Sequence, residues 1–360
     1  MIKLQTHVRQ RHPEKYVRNL AKEHWLYLKK QSGPKLSITT KVDQALQEAL
    51  TPNYLSTVAE QSPAKQAVHV SFLNELKANN FSLLERLIVG RPSELEKLRK
   101  QIFKNFSKSY FVDKKLVLVR GRQKTVSAQT PFSAWLMSNI FNYGSFRKSS
   151  QCRNMFLNLG FKSATCPYCN YSMIDIADKK LVAKVGGKEK AYVEADHFFE
   201  KYQHPFFALS FFNLIPSCHN CNAMDKGGSG FSLKTHINPY SKTMDDIYRF
   251  RITDQEILNG KIDQVTVDCL RAGDRTFDDF NILVKYNNNL ASANKILKKF
   301  LNNMHLARTA AHADFLDVLF ENVANEKKAM LDHPKSKLHR DILRELDPMG
   351  NFGLQHALAK

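Results

Sequence analysis

Four of the six cysteines and a short acidic, histidine and asparagine set carry the chemistry this sequence offers. Cys166-Pro167-Tyr168-Cys169 and Cys218-His219-Asn220-Cys221 are two Cys-x-x-Cys knuckles with 48 residues between them. Each knuckle presents two thiolates to one tetrahedral ion, and together they close a four-sulfur shell around a structural zinc. A closed shell leaves no position for water, so this ion would brace and not catalyse. A redox use of one knuckle is weaker, because the paired knuckles make metal the simpler reading. Between them lie Glu194-Ala195-Asp196-His197 and Asn213, and Asn222 directly follows the last cysteine. Asp196 is a hard oxygen ligand suited to Mg²⁺ or Mn²⁺. His197, with an ordinary pKa of about 6.5, suits proton abstraction near neutrality. Phosphodiester hydrolysis needs an activated water, neutralised phosphate charge and a stabilised leaving oxygen. An imidazole can serve the first need and one divalent ion the other two. An isolated Asp-His pair is more often a solvated turn. Adjacent strand side chains also face opposite ways, so both reach one phosphate only where the strand ends or bends.

The run from Asp196-His197-Phe198-Phe199 through Asn213-Leu214-Ile215-Pro216-Ser217-Cys218-His219-Asn220-Cys221-Asn222 resembles the HNH (ββα-metal) endonucleases, in particular the subgroup braced by four cysteines. Asn213 follows His197 by 16 positions and Asn222 follows Asn213 by nine, intervals that fit the family. The resemblance covers roughly residues 160–245. It implies a catalytic set of His197, Asp196, Asn213, Asn222 and Lys226. His197 would be the general base, Asn213 the pin of the loop that orients it, and Asp196 with Asn222 the ligands of a Mg²⁺ or Mn²⁺ ion. Lys226 would offer a point charge to the phosphate. The family's Asn-x-x-Lys is here Asn222-x-x-x-Lys226, which leaves Asp225 without a role. The implied activity is DNA cleavage leaving 5′-phosphate and 3′-hydroxyl ends. One such site cuts one strand, so a double-strand break requires two encounters or a homo-oligomer. The apolar 206–215 run, Asn238-Pro239-Tyr240 and Tyr286-Asn287 are similar to the HNH nuclease subunit of Septu-type anti-phage systems. That likeness implies a defence effector gated by a regulatory ATPase. Two rivals stay open: a zinc-containing nucleic-acid-binding module without catalysis, and a nuclease that cuts RNA.

Composition agrees with a polyanionic partner. The chain of 360 residues carries 54 Lys and Arg against 34 Asp and Glu, a net charge of +20, with pI near 9.6 and mean hydropathy of −0.41. The basic residues cluster: nine fall in 1–35 and ten in 97–124. Clusters of this kind mark phosphate-contacting surface. No apolar run is long enough to span a membrane and no signal-peptide core follows Met1-Ile2-Lys3, so a cytoplasmic protein without membrane association is expected. Six cysteines, four in knuckles, fit a reducing compartment better than a disulfide framework. Cys152 and Cys269 are expected to be ordinary packing residues.

The elements that must position these groups are α+β: a mainly helical chain around a central zinc-braced ββα-metal HNH module. Three regions are expected, a basic helical 1–150, the nuclease 151–245 and a helical 246–360. Residues 1–35 read as a basic arm ended by Gly33-Pro34. Helical spacing runs over 42–110, with Gly90 as a stop and a capping box at Ser93 and Glu96. Leu116-Val117-Leu118-Val119 is a short strand candidate, and 131–160 one or two helices. A hairpin is expected from 171–176 and 181–185 around Asp178, then a strand over 190–196 delivering His197. A helix from Cys218 should carry Asn222 and Lys226. Gly227-Gly228-Ser229-Gly230 is a soft joint. Ile296, Phe300, Met304, Ala307, Ala311, Phe315 and Val318 follow a helical period and predict one amphipathic core helix of more than six turns. His204, His219 and His236 have no assigned role.

Overall fold

Proline and hydroxyl residues punctuate the amino-terminal half. Ser37, Thr51, Ser62 and Thr130 each accept a backbone N–H from the first turn of the helix they precede, and prolines open five of the helices here. In this computed structural model the described residues are 2–30, 36–119, 122–177, 179–186, 191–227, 230–324 and 326–359. Gly33-Pro34, Asp178, Lys190 and Gly228-Ser229 lie outside them.

The chain is mixed helix and sheet, mainly helical. The helix Pro13–Lys29 is no free arm: Val17, Leu20, Ala21, His24, Trp25 and Leu28 are buried, and it packs against the Pro63–Val89 segment. That segment is two helices, broken where Asn79, Asn80 and Phe81 adopt positive φ. Gly90 caps it. The next helix, Pro92–Phe106, has Arg91 at its N-cap with no side-chain cap, and Glu96 pairs with Arg99 at 2.6 Å, so the expected capping box does not form. Three short helices, Pro131–Asn139, Tyr143–Arg147 and Ser150–Asn158, fill 131–160.

Four small antiparallel sheets are present among the described residues. Strands β1 (Val112–Val119) and β2 (Arg122–Gln129) form a ribbon, longer than the sequence suggested. Strands β3 (Ser163–Thr165), β4 (Met173–Ile176) and β5 (Ala191–Tyr192) form the second sheet. The expected 171–185 hairpin is not formed: Lys179–Val185 is a helix, because both edges of β4 are already paired to β3 and β5. The expected 190–196 strand is also divided at Val193, between β5 and β6 (Glu194–His197), which belong to different sheets. Strand β6 pairs with β7 (Leu214–Ser217), His197 opposite Leu214 and Asp196 opposite Ile215. The π-helix Asn220–Lys226 follows. Strands β8 (Tyr248–Arg251) and β9 (Thr266–Cys269) form the fourth sheet.

The long amphipathic helix is broken as well. Ala291–Asn303 gives way to a 3₁₀ turn, Met304–Arg308, and the chain resumes as His312–Phe320. Thr309 makes the break, its hydroxyl donating to Leu306 O and accepting from Ala311 N–H. The centroids of Phe315 and Phe300 lie 6.2 Å apart, so Ile296, Phe300, Ala307 and Phe315 of the expected stripe are core, while Met304 is exposed and Ala311 and Val318 are half-buried. Cys152 is buried as expected, but Cys269 is exposed. Buried side chains from Ile2 to Leu358 form one contiguous core across the three regions. No described helix is long and apolar enough to cross a membrane.

Candidate functional site

The two knuckles meet. The sulfurs of Cys166, Cys169, Cys218 and Cys221 all lie within 4.8 Å of one another, and all four residues are buried. A zinc with arms of about 2.3 Å would set its sulfurs roughly 3.8 Å apart, and Cys169 and Cys218 already stand at 4.0 Å. Burial pushes the Cys166 thiol up, while its hydrogen bonds hold Cys169 and Cys218 down, the latter at about 7. Four buried thiolates need a cation to persist together, so the donor set fits zinc or a similar ion. The surroundings fit too. Lys285 places its ammonium 3.9 Å from Cys221 Sγ, Tyr171 N–H approaches Cys169 Sγ at 3.4 Å, and Tyr286 OH donates to Cys169 O at 2.8 Å. Lys285 also pairs with Asp225. That gives Asp225 its role: it ties the π-helix to the carboxy-terminal region. Among the described residues, this is the group of three or more Cys, His, Asp or Glu ligand atoms close enough to share one ion.

The framework places a second group of side chains around a cavity of about 380 Å³, lined by Asp196, His197, Asn222 and Lys226 together with Glu194, Glu200, Lys201, Tyr143 and Arg147. Strand β6 ends at His197, which lets neighbouring side chains serve one cavity despite strand alternation. His197 is buried and its Nε2 lies 2.9 Å from Ala208 O. With Nε2 donating that bond, Nδ1 is left as the acceptor. The Tyr143 ring stands edge-on to the imidazole, 4.4 Å between centroids. Burial, helped by the charges of Lys201 and Lys226, depresses the His197 pKa to about 3 and keeps the ring neutral.

Asn213 is fully buried; its Oδ1 accepts from Phe199 N–H at 2.7 Å and its Nδ2 donates to Phe199 O and Phe207 O at 3.0 and 3.2 Å. It therefore closes the loop whose Ala208 carbonyl orients His197.

Asp196 and Lys226 form a pair that the sequence reading did not anticipate. The Lys226 ammonium reaches Asp196 Oδ1 and Oδ2 at 2.8 and 2.7 Å, contacts His197 O and lies 3.4 Å from Phe198 O. Tyr168 OH adds a 2.6 Å bond to Asp196 Oδ2. Lys226 is thus buried and neutralises a carboxylate, where a free charge for phosphate was expected. Asn222, expected beside Asp196 on one ion, instead donates its amide to Glu194, which also accepts from His219 Nδ1 at 2.6 Å. The extra residue in Asn222-x-x-x-Lys226 is accommodated by the π-helix, whose wider turn keeps both side chains on the cavity. Glu194, Tyr168 and Glu200 were missed as members of the site; the i, i+2 relation of Glu194 and Asp196 on β6 was the available signal. His236 is buried between Thr235 and Asp279, and His204 is buried against Phe207.

The buried ion pair gives a direct prediction. Removing one partner of such a pair costs about 3–5 kcal/mol, because the other charge is stranded. Asp196→Ala is therefore expected to lower thermal stability strongly, and Asp196→Ala/Lys226→Met to regain most of the loss. Equal melting temperatures for the single and double variants would refute the coupling.

Comparison with protein-family models, with curated proteins and with solved structures finds no match to this chain.

Proposed function

We propose that the chain is a metal-dependent endonuclease of the HNH kind that hydrolyses DNA phosphodiesters, with β6, β7 and the Asn220–Lys226 helix as its ββα module. The observation that carries this reading is the placement of His197: a neutral imidazole, oriented through Nε2 by Ala208 O, at the same cavity as the adjacent Asp196 carboxylate. In this reading Nδ1 takes the proton of the attacking water while the Asn213-held loop keeps the ring in place. Around Lys226 Nζ stand two carboxylate oxygens and two backbone carbonyls, an all-oxygen donor set of the type that hard divalent ions select. A Mg²⁺ or Mn²⁺ ion taking that position would neutralise phosphate charge and stabilise the leaving oxygen. Lys226 would have to yield it. The same ion pair favours the rival reading, a binding module whose cation position stays closed.

The deciding experiment uses zinc-loaded protein, supercoiled plasmid and Mg²⁺ or Mn²⁺. Wild type should nick the plasmid, and His197→Ala should lower the rate by 10²-fold or more, on the order of a general-base contribution. Equal cutting by His197→Ala would remove the mechanism; no cutting in any divalent ion would leave the binding module.

A further inference from the structure

The β1–β2 ribbon is the feature least explained by packing. Its principal contacts outside itself are at its root, with the Lys108–Tyr110 turn and the Pro131–Asn139 helix. Eight-residue strands extend roughly 27 Å. An isolated two-stranded ribbon is marginal in water, and this one places Leu116 and Leu118 at 70% and 74% exposure. The register makes the arrangement informative. Lys114, Leu116 and Leu118 share one face by strand alternation, and opposite them stand Ser127, Thr125 and Gln123. All six are exposed. That face combines a cation, hydrogen-bonding side chains and two apolar wedges, and Lys115 is exposed on the other face.

The charge around the root continues the pattern. Lys97, Lys100 and Lys104 recur at helical spacing on the exposed side of Pro92–Phe106. Lys108 follows at the foot of β1 and donates to Gln203 Oε1 at 3.2 Å. Gln203 directly follows Lys201 and Tyr202, which line the cavity of Asp196 and His197. A lysine track therefore runs from the helix to the ribbon root and on to the cavity rim.

We infer that the β1–β2 ribbon is a duplex-DNA arm that lies in a groove and holds the helix axis across the cavity. A two-stranded ribbon fits the major groove, which is about 12 Å wide. Lys114, Lys115 and the helix lysines neutralise phosphates, while Leu116 and Leu118 meet the base stack. The inference rests on the nuclease reading only for what happens at the cavity, not for the binding itself.

Its test is fluorescence anisotropy with a 25-base-pair duplex, a single strand of the same sequence and an RNA duplex as probes. The protein is zinc-loaded and no Mg²⁺ or Mn²⁺ is added. Lys114→Ala/Lys115→Ala should weaken duplex binding by about tenfold at moderate salt and reduce the slope of log K against log salt by about two. Leu116→Thr/Leu118→Thr, which removes the apolar side chains but supplies β-branched residues suited to a strand, should weaken binding severalfold with the slope unchanged. Duplex binding unaltered in both variants overturns the inference, as does tighter binding of the single strand or of RNA. Loss of binding in both variants, alongside a wild type that never nicks plasmid, upholds the arm and removes the nuclease. Nicking by wild type with unaltered binding in both variants does the reverse.

Discussion

Stripping the metal from the four-cysteine site, or making Cys166→Ser or Cys221→Ser, is expected to unfold the central part of the chain at ordinary temperature. Structural zinc contributes an apparent 10–16 kcal/mol, as measured in zinc-finger peptides at about neutral pH, whereas whole domains are stable by only about 5–15 kcal/mol. The tertiary structure enlarges the consequence, because distant segments are hung on the knuckles. Ile2 N–H donates to Pro167 O at 2.9 Å, and Tyr286 OH donates to Cys169 O. Asn170, buried with a positive φ directly after the first knuckle, donates its side-chain amide to Met330 O and accepts from Lys337 N–H through Oδ1. Loosening the ion therefore releases the amino terminus and the carboxy-terminal helices together. The β1–β2 ribbon, rooted elsewhere, is expected to respond least. Elemental analysis should find about one zinc per chain. Circular dichroism with and without a strong chelator should then show a large fall in the unfolding temperature. A metal-free protein that melts where the loaded one does would show that the four sulfurs brace nothing.

Mild acid is expected to destabilise the fold through its buried histidines. Burial holds His24, His69 and His339 at about 4, and His197 and His204 at about 3, all far below the usual 6.5. Their neutral rings are built into the core: His24 Nε2 lies 2.9 Å from Leu209 O, and His69 stacks on Phe132 at 3.8 Å. Above pH 7 these groups are neutral in folded and unfolded chains alike and contribute no pH dependence. Below 6.5 the unfolded chain takes up protons that the folded one refuses, so stability falls as pH falls towards 4. At pH 5.5 each ring costs about 1.4 kcal/mol, and five cost roughly 7 kcal/mol. Denaturant titrations at pH 7.5, 6.5 and 5.5 in saturating zinc would measure this. His24→Gln should flatten the dependence by one ring's share, which separates the histidines from thiolate protonation. Equal stability at 7.5 and 5.5 would contradict the assignment of neutral buried rings.

Pattern and spacing carried much of the site. Paired Cys-x-x-Cys motifs can do little with four thiols except share an ion, so their meeting needed no knowledge of the fold. The intervals from His197 to Asn213 and Asn222 likewise anticipated one loop and one following helix; Asp196, His197 and Asn222 line one cavity, and Asn213 closes the loop next to His197. Local signals were weaker where a residue's partner is remote. The hydrophobic period across 296–318 is real, yet it cannot register that Thr309 turns the chain so that Phe315 packs on Phe300. Strand propensity in 181–185 was overruled by the pairing of both β4 edges.

What the sequence determined by itself was composition-level and short-range: a basic chain, two cysteine knuckles able to share a metal ion, and an Asp-His pair ahead of an apolar loop. Tertiary structure alone decided which charge answers which. Lys226 lies thirty residues beyond Asp196, and Lys285 sixty beyond Asp225. Only folding brings such groups within 3 Å and removes the water that would otherwise screen them. Coulomb energy depends on distance and dielectric, and neither is written in the order of the residues.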